Sequence, residues 1–139
     1  MKRLLTVTVF LTLAAIAALG QAVEDGSRRT IGYISSSGTV ENASRGTIGY
    51  FKSNGAVEDG SRRTIGYIRE NGTVENASRS TIGYIRDNGT VENASRSTIG
   101  HVTSSGTVEN GSRSTIGYAK GIKQEWAAAF FFFFFKLGN

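Results

Sequence analysis

Thr73-Val74-Glu75-Asn76-Ala77-Ser78-Arg79-Ser80-Thr81-Ile82-Gly83-Tyr84-Ile85-Arg86-Asp87-Asn88-Gly89 decides the architecture, and Thr90-Val91-Glu92-Asn93-Ala94-Ser95-Arg96 at once begins the same phrase again. Thr-Ile-Gly-Tyr-Ile is a run of β-branched and aromatic residues, and Gly-Thr-Val-Glu is a shorter run of similar character. Arg69-Glu70-Asn71-Gly72, Arg86-Asp87-Asn88-Gly89 and Lys52-Ser53-Asn54-Gly55 stand between such runs. Asn-Gly in that position is the strongest short-range hairpin signal, because both residues tolerate positive φ. The other connection, Asn76-Ala77-Ser78-Arg79-Ser80, offers an Asn whose side chain bonds its own backbone two residues on. Two strands and two turns therefore make one unit.

The unit is written six times. Val recurs at 23, 40, 57, 74, 91 and 108, a spacing of 17, and Glu, Ser, Arg and Thr-Ile-Gly are present in every copy. The aromatic slot holds Tyr33, Tyr50, Tyr67, Tyr84, His101 and Tyr118. A fixed period marks a repeat architecture in which no unit buries its apolar face alone. Nothing before Ile122 has a helical apolar period, so the expected class is all-β. The connection ending in Gly38, Gly55, Gly72, Gly89 and Gly106 occurs five times, which gives five hairpins and one unpaired strand at each end. Joining those ends removes both edges, and the expected layout is a closed antiparallel meander. An open solenoid of parallel coils competes. It would set six Glu in one ladder and six Arg in another, about 4.8 Å apart, and like charges directly opposite are destabilising.

Composition narrows the function. The chain has 139 residues, enough for one compact domain, with 16 basic against 11 acidic residues. The lack of cysteine excludes disulfides, thiolate metal sites and a lipid-modified cysteine, and a single histidine leaves no multi-histidine metal site. No cofactor is expected. Met1-Lys2-Arg3, the apolar residues 4–19 and the small residues Ala18 and Gly20 read as a signal peptide over residues 1–20, with a cut after Gly20 or, as runner-up, after Ala22. The expected location is periplasmic or extracellular. Without Lys2 and Arg3 the balance is 14 basic to 11 acidic residues, or +3, too mild to argue for nucleic acid.

The repeat Gly-Thr-Val-Glu-Asn-Ala-Ser-Arg-Ser-Thr-Ile-Gly-Tyr, the ending Ala119-Lys120-Gly121-Ile122, then Trp126-Ala127-Ala128-Ala129 and a phenylalanine run resemble the five-fold β-flower proteins, small exported bacterial repeat proteins. The resemblance covers residues 21–139. It implies five hairpin petals about a central axis and implies no activity or site residues. His101 departs from the pattern by taking a tyrosine slot.

Ile and Tyr of Ile-Gly-Tyr are two apart and share a strand face, with Val of the neighbouring strand as the expected third member of that apolar layer. The glycine between them suggests a bend or a closely passing backbone. Glu and Arg four apart, as in Glu92 and Arg96, read as a cross-turn ion pair. The competing reading is a ligand ring of Tyr33, Tyr50, Tyr67 and Tyr84 with Arg45, Arg62, Arg79 and Arg96, suited to a glycan or polyanion. Glu24-Asp25 and Glu58-Asp59 are adjacent carboxylates that a strand points to opposite faces, which argues against paired acid–base work. His101 reads as a buried or rim histidine. Asn-Ala-Ser at 42, 76 and 93 matches a glycosylation sequon but follows from turn chemistry, and the threonines lack the Thr-x-Thr array of an ice-binding face.

Residues 123–139 leave the repeat. Phe130 to Phe135 are six consecutive phenylalanines, apolar on both faces and of strand length. Burying them is worth gross on the order of 20 kcal/mol, an upper estimate. The tail is expected either as a Phe-rich strand in the core of the same domain as residues 21–122 or as a docking element for a membrane or another chain. The functional expectation is a non-enzymatic structural or binding module. The sequence names no partner; a glycan, an envelope component or a second copy are the expected candidates.

Overall fold

The computed structural model describes residues 20–135. Residues 1–19, with nearly all of the expected signal peptide, and the tail end 136–139 lie outside the described residues. Twelve strands follow in order: β1 (Gln21–Asp25), β2 (Thr30–Ile34), β3 (Thr39–Asn42), β4 (Thr47–Phe51), β5 (Ala56–Asp59) and β6 (Thr64–Ile68). Then come β7 (Thr73–Asn76), β8 (Thr81–Ile85), β9 (Thr90–Asn93), β10 (Thr98–Val102), β11 (Thr107–Asn110) and β12 (Thr115–Tyr118). Among the described residues one helix, α1 (Gln124–Phe132), follows the strands. Each strand pairs antiparallel with its sequence neighbours, and β1 pairs with β12 to close the barrel. The even strand count lets closure stay antiparallel. A register shift between Val and Glu recurs along the ring, as at Val40/Glu41 and Val74/Glu75, and such bulges add the twist and bend a closed sheet needs.

Both turn types are built alike. In the hairpin tips Gly72 N–H donates to the Arg69 carbonyl (2.9 Å) and Arg69 N–H to the Thr73 carbonyl (2.8 Å). Only the glycine takes positive φ (92°); Asn71 instead accepts a bond from Thr73 N–H through Oδ1 (3.0 Å). The tips are thus one-bulge loops rather than the two-residue turn expected from Asn-Gly. At the opposite end the same left-handed position is filled by arginine, with φ between 66° and 71° at Arg28, Arg45, Arg62, Arg79, Arg96 and Arg113.

The core corrects one expectation. Val23, Val40, Val57, Val74, Val91 and Val108 are fully buried, but they face inward with the strand glycine and the residue after tyrosine, as in Gly32 and Ile34. Cross-strand partners share a face, and Val40 pairs with Ile34 on one side and Gly49 on the other. Tyrosine stands half-buried on the other face, and the isoleucine before it is partly buried against the core. The reason is room. A twelve-stranded barrel has a lumen too wide for its own wall of valine and glycine to fill, since eight strands already reach the width that side chains fill.

The tail fills that lumen, as a helix and not as the expected strand. A closed barrel has no free edge, so a strand inside it would leave its N–H and C=O groups without partners. A helix satisfies its own backbone, and Gln124 to Ala129 are mostly strong helix formers. Ala127, Ala128 and Ala129 are at most 1% exposed and let the helix pass between the walls. The helix ends at Phe132, where the N–H groups of Phe133 and Phe134 both donate to the Ala129 carbonyl (3.1 and 2.8 Å), and Phe133 to Phe135 continue outside it.

Six rings then meet six glycines. A Cβ on Gly117, Gly100, Gly83, Gly66 or Gly49 would come under 3.0 Å from the ring of Phe131, Phe132, Phe133, Phe134 or Phe135 respectively. On Gly32 it would lie 3.5 Å from Phe130. Each step along the tail moves one unit around the barrel. The glycine also faces the carbonyl of the neighbouring strand's glutamate, 2.5 to 2.6 Å from where its Cβ would stand. The close approach expected at this glycine is therefore made by a ring edge and a carbonyl together.

Candidate functional site

On the outer face the eight residues expected as a ligand ring come together in pairs. Guanidinium groups lie over tyrosine rings at 3.6 Å for Arg45 on Tyr33, 3.8 Å for Arg62 on Tyr50, and 4.1 Å for both Arg79 on Tyr67 and Arg96 on Tyr84. Arg28 over Tyr118 at 3.9 Å repeats the contact across the β1–β12 closure. Each arginine comes from the unit after its tyrosine. A left-handed non-glycine residue costs about 1–2 kcal/mol, and stacking of this kind returns about 0.5–1 kcal/mol at an exposed site.

The glutamates complete the girdle. Glu24, Glu41, Glu58 and Glu109 pair with Arg28, Arg45, Arg62 and Arg113 at 3.3 to 3.6 Å, the cross-turn pairing expected from the spacing. Glu75 and Glu92 are instead bound at 2.8 Å by Arg69 and Arg86 from the hairpin tips. At these two units the tip supplies a closer cation, and Tyr67 and Tyr84 each lie between two arginines. His101 takes the tyrosine slot on this half-buried outer face.

Asp25 and Asp59 act in turns. Asp25 Oδ1 accepts bonds from the N–H groups of Ser27 (2.9 Å) and Arg29 (3.0 Å), and Asp59 receives the same pair from Ser61 and Arg63. Those backbone donors, that of Arg29 or Arg63 foremost, hold both carboxyls below the usual aspartate range. A folded pKa below the unfolded one gives stability that is present above the unfolded value and lost as pH falls through the folded one. Asn42, Asn76, Asn93 and Asn110 make the same bonds uncharged. We expect the D25N/D59N double variant to melt like the parent at pH 7 and to lose less stability below about pH 4, measured by thermal denaturation across pH. An unchanged acid limb would refute the assignment.

A second feature lies at the hairpin-tip end. The helix leans on β10 and β11, where Gln124 Nε2 donates to the Val102 carbonyl (2.6 Å). Opposite, toward the β4–β5, β6–β7 and β8–β9 tips, a cleft of about 520 Å³ remains. Phe51 and Trp126 border it as stacked rings, centroids 5.6 Å apart and 11° from parallel, and Lys123 Nζ stands 4.7 Å from the Trp126 ring. Lys52, Arg69, Arg86 and Lys123 with Glu70, Asp87 and Glu125 carry its charges. Tyr67 also lines it and is the one lining residue that stood among the sequence candidates. For Lys52, Arg69, Glu70, Arg86 and Asp87 the signal was in the tips, the part of the unit that changes most between copies, whereas Lys123, Glu125 and Trp126 stand outside the repeat. Among the described residues no three His, Cys, Asp or Glu side chains gather to hold a metal.

A family model described as 5-fold beta-flower protein matches residues 20–135. Neither a curated protein nor a solved structure matches the chain.

Proposed function

The chain belongs to the family of 5-fold beta-flower proteins, and from that premise we propose that it is an exported, non-enzymatic β-repeat module that presents a rigid outer surface for binding. The carrying observation is the plugged lumen. Trp126, the three alanines and Phe130 are buried inside the barrel, so the space where barrel carriers and pores keep their cargo is taken by the chain's own tail. Binding is left to the outside and to the tip-end cleft. The inward placement of the phenylalanines also weighs against their use as a membrane anchor.

The strand register supports the cut after Gly20. Gln21 pairs with Ile34 and Ala22 with Tyr33, so cleavage after Ala22 would remove two paired residues of β1. Export from a bacterial host should give a secreted chain whose intact mass begins at Gln21, with no turnover across a hydrolase and transferase substrate panel. A chain retained with residues 1–20, or turnover abolished by H101A or E58Q, would overturn this function.

A further inference from the structure

We infer that the cleft between α1 and the β4–β5, β6–β7 and β8–β9 tips binds a short uncharged oligosaccharide, an assignment that rests on the reading of the chain as a binding module. The six copies serve as one another's controls. The Glu, Ser, Arg and Thr-Ile-Gly positions never vary, whereas the tips read Ser35-Ser36-Ser37, Lys52-Ser53-Asn54, Arg69-Glu70-Asn71, Arg86-Asp87-Asn88 and Thr103-Ser104-Ser105. The turn itself does not require the charges. Gly38 N–H bonds the Ser35 carbonyl at 3.0 Å just as Gly72 N–H bonds that of Arg69 at 2.9 Å. Yet the charged tips are three in succession, and those three border the cleft. Unit two adds Phe51 where other units carry an aliphatic residue, and Phe51 stacks on Trp126 there.

The chemistry selects the ligand. Arg69 and Arg86 are held by Glu75 and Glu92, which fixes them and offsets their charge. Glu70, Asp87 and Glu125 line the cleft together with Lys52 and Lys123. A polyanion would meet three carboxylates and a polycation four basic groups. Sugar hydroxyls donate to carboxylates and accept from cations, so a lining of mixed charge suits a neutral polyol, while the buried Phe51 and Trp126 stack on each other beneath it. The volume lies within the roughly 300–1,000 Å³ of small-molecule sites.

Trp126 is the chain's one tryptophan, so its fluorescence reports on the cleft. The exported chain is first applied to an array of neutral, sialylated and sulfated oligosaccharides, and the best-retained neutral one is then titrated. We expect retention of neutral glycans, a saturable change in Trp126 emission, and at least tenfold weaker binding by the E70A/D87A variant. The S104A variant, altered at a tip outside the cleft, should bind as the parent, and melting curves should confirm that both variants fold. Retention of sulfated or sialylated glycans alone, no retention at all, no saturable emission change, or equal affinity in the E70A/D87A variant would each overturn the site. A neutral glycan that binds and is also converted to products would support the site while overturning the non-enzymatic reading.

Discussion

A chain ending at Ile122 should fail to fold cooperatively. Truncation there removes Trp126, the three buried alanines and all six rings, and leaves a lumen walled by six valines, six strand glycines and side chains such as Ile34, Phe51, Ile85 and Val102. The wall cannot collapse onto itself, because backbone pairing fixes the circumference of twelve strands. The rings alone carry gross burial on the order of 20 kcal/mol, whereas whole domains are stable by about 5–15 kcal/mol. Phe131, Phe132, Phe133 and Phe135 are only partly buried, so the sum is an upper bound, yet half of it exceeds the margin of many domains. Circular dichroism and size-exclusion chromatography of residues 21–122 should show no cooperative melt and a disordered or aggregated species. A monomeric truncation with a sharp transition would mean that the barrel stands without its plug.

Adding one methyl group at a strand glycine should cost nearly as much as a cavity in the core. G83A places a Cβ under 3.0 Å from the Phe133 ring and 2.5 Å from the Glu92 carbonyl. The carbonyl belongs to a bulged pair and has little freedom to move, so a loss of about 2–3 kcal/mol is expected in urea unfolding. Part of that loss belongs to the ring. F133A alone should lose several kcal/mol, near the usual 3–5 kcal/mol for phenylalanine to alanine in a core, reduced by its partial exposure. The double variant should lose less than the sum, by about 1 kcal/mol. At Gly32 the Phe130 ring stands farther off, 3.5 Å from the Cβ position, so the G32A/F130A cycle should show weaker coupling. A neutral G83A, or equal coupling in both cycles, would refute the pairing of one ring with one glycine.

The candidate site was legible in parts. The cross-turn pairing of Glu41 with Arg45 followed from a spacing of four across a turn, and the structure has it at 3.4 Å. The stacking of Arg45 on Tyr33 was out of reach, because twelve residues separate them and only strand register brings them together. Glu75 was unpredictable in another way. Two arginines compete for it, and Arg69 prevails at 2.8 Å through tip geometry that no spacing rule contains. The cleft was hidden because it exists only where the helix leans away from the wall.

Local chemistry and period determined the strands, the hairpins and the closure. The strand runs, the tip glycines and five tips among six units require two loose ends, and two loose ends in a sheet require each other. Those are short-range or counting arguments, and one sequence suffices for them. The facing of the valines and the shape of the tail belonged to the tertiary structure. A strand of mixed polarity presents two plausible faces, and the choice of core face depends on what fills the interior. Here the filler lies up to about a hundred residues away in the chain, as with Phe130 against Gly32. Six phenylalanines in a row read as a strand while an edge is free to receive them. Once the barrel has closed no edge remains, and the backbone inside bonds to itself, as a helix through Phe132 and a closing turn after it.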